Sequence, residues 1–106
     1  MAYEMALDAL GDPTRRQVLD HLRAGPQPVA MLARDLPVSR PAVSQHLKIL
    51  KEAGLVRDEA MGARRIYRLD PDGFSSLQAW LDGFFRPVLD DYEAEIQRQI
   101  DERKNT

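Results

Sequence analysis

Apolar positions along this chain fall first at helical spacing, then in near alternation, then at helical spacing again. Met5, Ala6, Ala9 and Leu10 make a short stripe and predict a helix within residues 1–10. Val18, Leu19 and Leu22 form the inner face of a second helix. Asp12 can cap it, Pro13 suits its first turn, and Gly25-Pro26 ends it. Val29, Leu32, Ala33 and Leu36 continue the helical pattern until Pro37, which pushes the residue before it away from helical angles. Ser39 offers a side-chain oxygen as the next N-cap, Pro41 is tolerated in the first turn, and Gly54 suits a left-handed terminus. That places a helix over residues 40–53, with Val43, Leu47 and Leu50 on its buried side. Residues 36–40 leave only a tight turn between the two helices, which is the helix-turn-helix layout.

The period then changes. Leu55–Glu59 and Arg64–Leu69 read as two short strands around an Ala60–Ala63 turn, with the inward face left open by imperfect alternation. From Pro71 to about Arg103 the spacing is helical again. Leu77, Leu81, Phe84, Val88, Tyr92, Ile96 and Ile100 form one stripe, widened by Trp80 and Phe85. Pro87 lies inside this stripe and is expected to kink or split the helix. The fold class is therefore mainly helical with a small β-hairpin. Residues 1–106 are expected to form a single domain, with 12–69 holding the helix-turn-helix and hairpin and 71–104 the last helix.

Charge changes this picture more through its placement than its sum. The formal net charge is only −2. Residues 39–69 nevertheless carry seven basic side chains against three acidic ones, while residues 70–106 carry four against nine. A basic middle thus sits beside an acidic tail. The 106 residues include no cysteine, which removes disulfides, thiolate metal sites and cysteine nucleophiles. The opening MAYEMALDALGD is too acidic for a signal peptide, and no apolar run approaches a membrane span. A cytoplasmic protein without membrane contact is expected.

On a helical wheel, Ser44, Lys48 and Lys51 fall away from the apolar side of helix 40–53, with Gln45 adjoining them. Hydroxyl, amide and ammonium groups on one surface are those that bond base edges and phosphates in a major groove. Arg40 stands at the start of the helix, where a phosphate contact fits. His46 lies nearer the apolar stripe, so packing or capping competes with phosphate contact. Arg64 and Arg65 stand beside the hairpin tip, suited to a minor groove or to the DNA backbone. The competing reading is a solvated hairpin that discourages edge-to-edge pairing. No serine–histidine–acid arrangement, phosphate-cradling glycine loop or metal-ligand set occurs, so no catalytic residue, metal or cofactor is expected.

ALGDPTRRQVLDHL, SRPAVSQHLKILKEAGLV and GARRIYRLD, in that order, resemble the ArsR-type winged-helix repressors. The resemblance spans roughly residues 5–85. It implies a winged helix-turn-helix, a homodimer, and repression by occupying an operator in double-stranded DNA. It also makes 40–53 the recognition helix, with Ser44, Gln45 and His46 facing DNA. Dimerisation through the first and last helices would draw on Met5, Leu77, Trp80, Leu81, Phe84, Phe85, Val88, Tyr92 and Ile96. Many relatives sense metals through cysteines in the helix before the recognition helix, or through histidines and carboxylates in the last. Here VAMLARDL has no thiol and the tail no histidine, so a member without a transition-metal switch is expected. Trp80, Phe84, Phe85 and Tyr92 either pack the core and dimer or line a pocket for an apolar effector of open identity. The alternative function is a winged helix used for protein contacts without a DNA target.

Overall fold

The structure is a computed structural model that describes residues 2–105. Residues 1 and 106, the outermost of the expected domain, lie outside the described residues. The order is α1 (Ala2–Leu10), α2 (Pro13–Arg23), β1 (Gln27–Pro28), α3 (Val29–Asp35), α4 (Arg40–Glu52), β2 (Val56–Met61), β3 (Arg64–Leu69) and α5 (Pro71–Lys104).

The helix ends follow from the side chains that satisfy them. Asp12 Oδ1 accepts from the backbone N–H of Thr14 at 2.8 Å and of Arg15 at 3.1 Å. These bonds, that to Arg15 first, hold the Asp12 carboxyl below its usual range. Arg15 and Arg16 reach back to the open carbonyl end of α1. Arg15 Nε donates to Ala9 O and a terminal nitrogen of Arg16 to Leu10 O, both at 2.7 Å. Ser39 Oγ accepts from Ala42 N at 3.3 Å and Asp70 Oδ1 from Asp72 N at 3.0 Å. Gly54 takes φ +75° just after α4, a left-handed angle that glycine adopts without penalty.

One core gathers these elements. Val18, Leu32, Val43, Leu47, Leu50 and Leu55 are fully buried, so the apolar faces read from the sequence for α2, α3 and α4 converge. Phe74 at the start of α5 packs against the same cluster. Two backbone bonds join α5 to the segment after α4: Asp70 N donates to Leu55 O at 2.9 Å and Gly73 N to Gly54 O at 3.0 Å. The approach is close enough that a Cβ on Gly73 would stand 2.2 Å from Gly54 O.

The sheet departs from the expected two strands in two ways. β2 runs on to Met61, so the turn is Gly62-Ala63 and not Ala60–Ala63; Gly62 takes φ +64° and supplies the tight reversal. β1 adds a third strand, Gln27 opposite Tyr67 and Pro28 opposite Ile66, giving the antiparallel order β1-β3-β2. Proline has no N–H to donate, which suits this short edge position. The register also settles the inward face. Val56 opposes Leu69 and Asp58 opposes Tyr67, and Val56, Leu69 and Tyr67 belong to or pack on the core.

Pro87 does not split the last helix, which is continuous over 34 residues. The ring removes one bond, to Gly83 four residues earlier, and both residues are exposed. The turns on either side carry the helix through. At 1.5 Å per residue it is about 51 Å long, which accounts for most of the 71 Å longest dimension. Its first turns dock on the body, while Phe85, Val88, Leu89 and Tyr92 remain more than half exposed.

Candidate nucleic-acid interface

The interface is built on α4. Val43, Leu47 and Leu50 are 0% exposed and anchor the helix. The side opposite them leaves Ser44, Gln45, Lys48 and Lys51 exposed, as the wheel requires. Arg40 is exposed at the N-terminal end. Beside it runs an open groove of about 430 Å³, bounded by α3, the start of α4 and the wing. Arg40 and Ser44 line it from α4, Arg64 and Arg65 from β3, and Met31 and Arg34 from α3. Helix and wing thus present hydroxyl and guanidinium groups to one concavity.

Arg34 is a cation of this groove that the sequence reading omitted. VAMLARDL was read for thiols and for its apolar stripe, and the exposed position next to that stripe carried no separate signal.

The basic residues fall into two sets. Arg40, Lys48 and Arg64 have no acidic partner within 4.0 Å among the described residues. Lys51 and Arg65 share one. Lys51 Nζ is 2.8 Å from Asp58 Oδ1, and Arg65 Nε is 2.6 Å from Asp58 Oδ2. The hydrogen bond from Lys51, then that from Arg65, holds the Asp58 carboxyl below the usual carboxylate range. Arg65 is raised in turn by its bond to Asp58. Residues alternate between faces along a strand, so Arg65 shares the inward face with Asp58 while Arg64 is on the outer one. Arg68 pairs with Glu59 at 2.5 Å across the hairpin.

His46 is half-buried between the two faces of α4. Its Nδ1 is buried and has no hydrogen-bond partner among the described residues. This is the packing position that competed with phosphate contact in the sequence reading.

The side chains expected at a dimer interface divide in the same way. Leu77 is 8% exposed and is taken up within its own chain. Trp80 stacks on Tyr3 at 5.4 Å between ring centroids, which fixes α1 against α5, and makes a T-shaped contact with Phe84 at 5.0 Å. Met5, Leu81, Phe84, Phe85, Val88, Tyr92 and Ile96 are all exposed. Among the described residues there is no group of three or more His, Cys, Asp or Glu placed to hold a metal ion. No helix among them is long and apolar enough to cross a membrane.

Comparison with known proteins agrees with this architecture. Residues 12–58 match the family described as "Bacterial regulatory protein, arsR family". The chain is 50% identical to the HTH-type transcriptional regulator Rv2034 of Mycobacterium tuberculosis, over 93% of this chain and 92% of that one. It is 34% identical to the transcriptional repressor SdpR of Bacillus subtilis, over 72% of this chain and 84% of that one. Among solved structures it resembles the homodimeric winged helix-turn-helix DNA-binding domain Mb0332 from Mycobacterium bovis. There the TM-score is 0.64 at 27% identity, covering 86% of this chain and 81% of that one. Helix-turn-helix, three-stranded wing and relatives over nearly the full length lead to one conclusion: the chain belongs to the arsR family of bacterial regulatory proteins, transcriptional regulators with a DNA-binding winged helix-turn-helix, which are not enzymes.

Proposed function

We propose that this protein is a homodimeric repressor that binds an inverted-repeat operator and blocks transcription there, without a transition-metal switch. The observation that carries the reading is the free polar face of α4, with Ser44, Gln45 and Lys48 exposed beside the arginine-lined groove of the wing. In this reading α4 enters the major groove, and Ser44 and Gln45 meet base edges. Arg40, Lys48 and Arg64 neutralise phosphates, Arg65 and Lys51 do so while held by Asp58, and His46 fixes the seating of α4.

Dimerisation is supported by the exposed apolar side chains of α5 and Met5 of α1, a surface too apolar to be left open in water. Two chains related by a two-fold axis would place their α4 helices about one DNA turn, or a multiple of it, apart. Repression is supported by the relative named as a repressor. An apolar effector among the α5 aromatics is the weaker reading, because Trp80 already stacks on Tyr3 and makes a T-shaped contact with Phe84.

Recovery of bound fragments from a genomic DNA pool tests the proposal. The expected result is a palindromic consensus whose presence in a promoter lowers reporter output when the protein is expressed. Absence of any enriched sequence contradicts operator binding, a consensus without symmetry contradicts the two-fold dimer, and higher reporter output contradicts repression.

A further inference from the structure

Asp58 holds two of the cations that the DNA reading assigns to the interface, one from the recognition helix and one from the wing. Its side chain is 4% exposed, while those of Lys51 and Arg65 keep 53% and 58% of their surface. Each carboxylate oxygen takes one cation, at 2.8 Å and 2.6 Å. The cations therefore stay half open to an incoming phosphate, but they are already paired with an anion that is nearly covered.

The geometry points to Asp58 as a specificity-determining residue of the DNA surface, one that restrains Lys51 and Arg65 so that the protein discriminates against DNA that does not fit. This inference rests on the DNA-binding reading above and assigns a role to an acidic residue within a basic surface.

Two effects of Asp58 act in the same direction. The first is electrostatic. Affinity for arbitrary duplex comes almost wholly from neutralising phosphates and releasing their counterions. With Asp58 in place, the three groups carry one net positive charge and not two. A phosphate must also compete with charge-assisted bonds already made. Attraction to any duplex is reduced accordingly.

The second effect is geometric. Lys51 belongs to α4 and Arg65 to β3, and Asp58 on β2 ties them together. Cations on free side chains follow the backbone of any duplex. Cations pinned to one carboxylate meet phosphates only where the DNA seats α4 in register, which is when Ser44 and Gln45 also reach base edges. The unpaired Arg40, Lys48 and Arg64 supply the general attraction that brings the protein to DNA.

The test compares wild type with Asp58→Asn, which keeps the shape and removes the charge. Binding is measured to the operator recovered from the pool and to a scrambled duplex, from about 50 to 300 mM KCl. The expected result is a roughly five- to tenfold rise in affinity for the scrambled duplex at low salt. Its salt slope should steepen by about one, and the operator-to-scrambled ratio should fall. Lys51→Met is the second variant. On the scrambled duplex it should change the slope by less than about 0.5 in the wild-type background and remove the added slope in the Asp58→Asn background.

Weaker binding of folded Asp58→Asn to both duplexes overturns the inference, as does an unchanged ratio and slope. If Asp58→Asn does not fold, Lys51→Met decides alone. A slope loss near 0.9 on the scrambled duplex in the wild-type background would show that Lys51 is an ordinary phosphate contact and overturn the restraint. A wild-type protein with no preference between the duplexes contradicts the DNA reading itself, a separate outcome from failure of the Asp58 role.

Discussion

Two glycines of α5 show how little of a residue's role lies in its type. Gly73 faces the backbone of Gly54, where a methyl group would overlap the carbonyl oxygen at 2.2 Å. Gly83, ten positions on, has nothing within 4 Å of the same added atom. Gly73→Ala should therefore destabilise the protein by roughly 1–3 kcal/mol or more through forced separation of α5 from the α4 terminus. Gly83→Ala should stabilise it by about 0.5–1 kcal/mol, because alanine loses less entropy in a helix. Urea unfolding at one fixed protein concentration compares them, and destabilisation of both by similar amounts would contradict the close approach described. Asp12, Ser39 and Gly54 were legible in advance because capping and left-handed termini are local and have strong residue preferences. Gly73 and Asp58 were not, because their roles depend on partners brought together by the tertiary fold. In the sequence, Asp58 only lowers the charge of the basic middle; in the structure it organises two of its cations.

At the scale of elements, α2, α3 and α4 were legible because each carries both punctuation and a helical apolar face. The wing was legible in its second strand and misjudged in its first, since the tip residues Ala60 and Met61 carry no strong strand signal. β1 was invisible because its two residues include a proline and pair only with a strand some forty positions away. The continuity of α5 past Pro87 follows from an exposed site, where one missing backbone bond costs less than it would in a packed interior. That continuous run leaves Val88 63% and Tyr92 64% exposed, one turn apart on the same side. A Val88→Glu/Tyr92→Glu variant should thus keep its helical signal, because surface changes of this kind shift stability little in the free chain. It should sediment near the 12.1 kDa chain mass, whereas wild type should sediment near twice that value. A strictly monomeric wild type at micromolar concentration would contradict the assignment of the α5 surface to a partner copy.

For the whole molecule, the two ends of the structure have complementary characters. The compact body exposes a basic, polar surface, and the projecting helix exposes an acidic and apolar one, so a net charge of −2 conceals the two sides that the proposal assigns to DNA and to a second copy. The bonds from Asp70 to Leu55 and from Gly73 to Gly54 join these sides directly, linking the start of α5 to the end of α4. In the proposed dimer, spacing between the two recognition helices would be set by the α5 contact and transmitted through this backbone junction. All of this depends on α4 reading bases and not only holding phosphates. Titration of wild type and Gln45→Ala against the recovered operator and a scrambled duplex measures that most directly. The account predicts that Gln45→Ala loses roughly 1–3 kcal/mol of preference for the operator, with little change on the scrambled duplex. Equal losses on both duplexes, or a preference left intact, would contradict it.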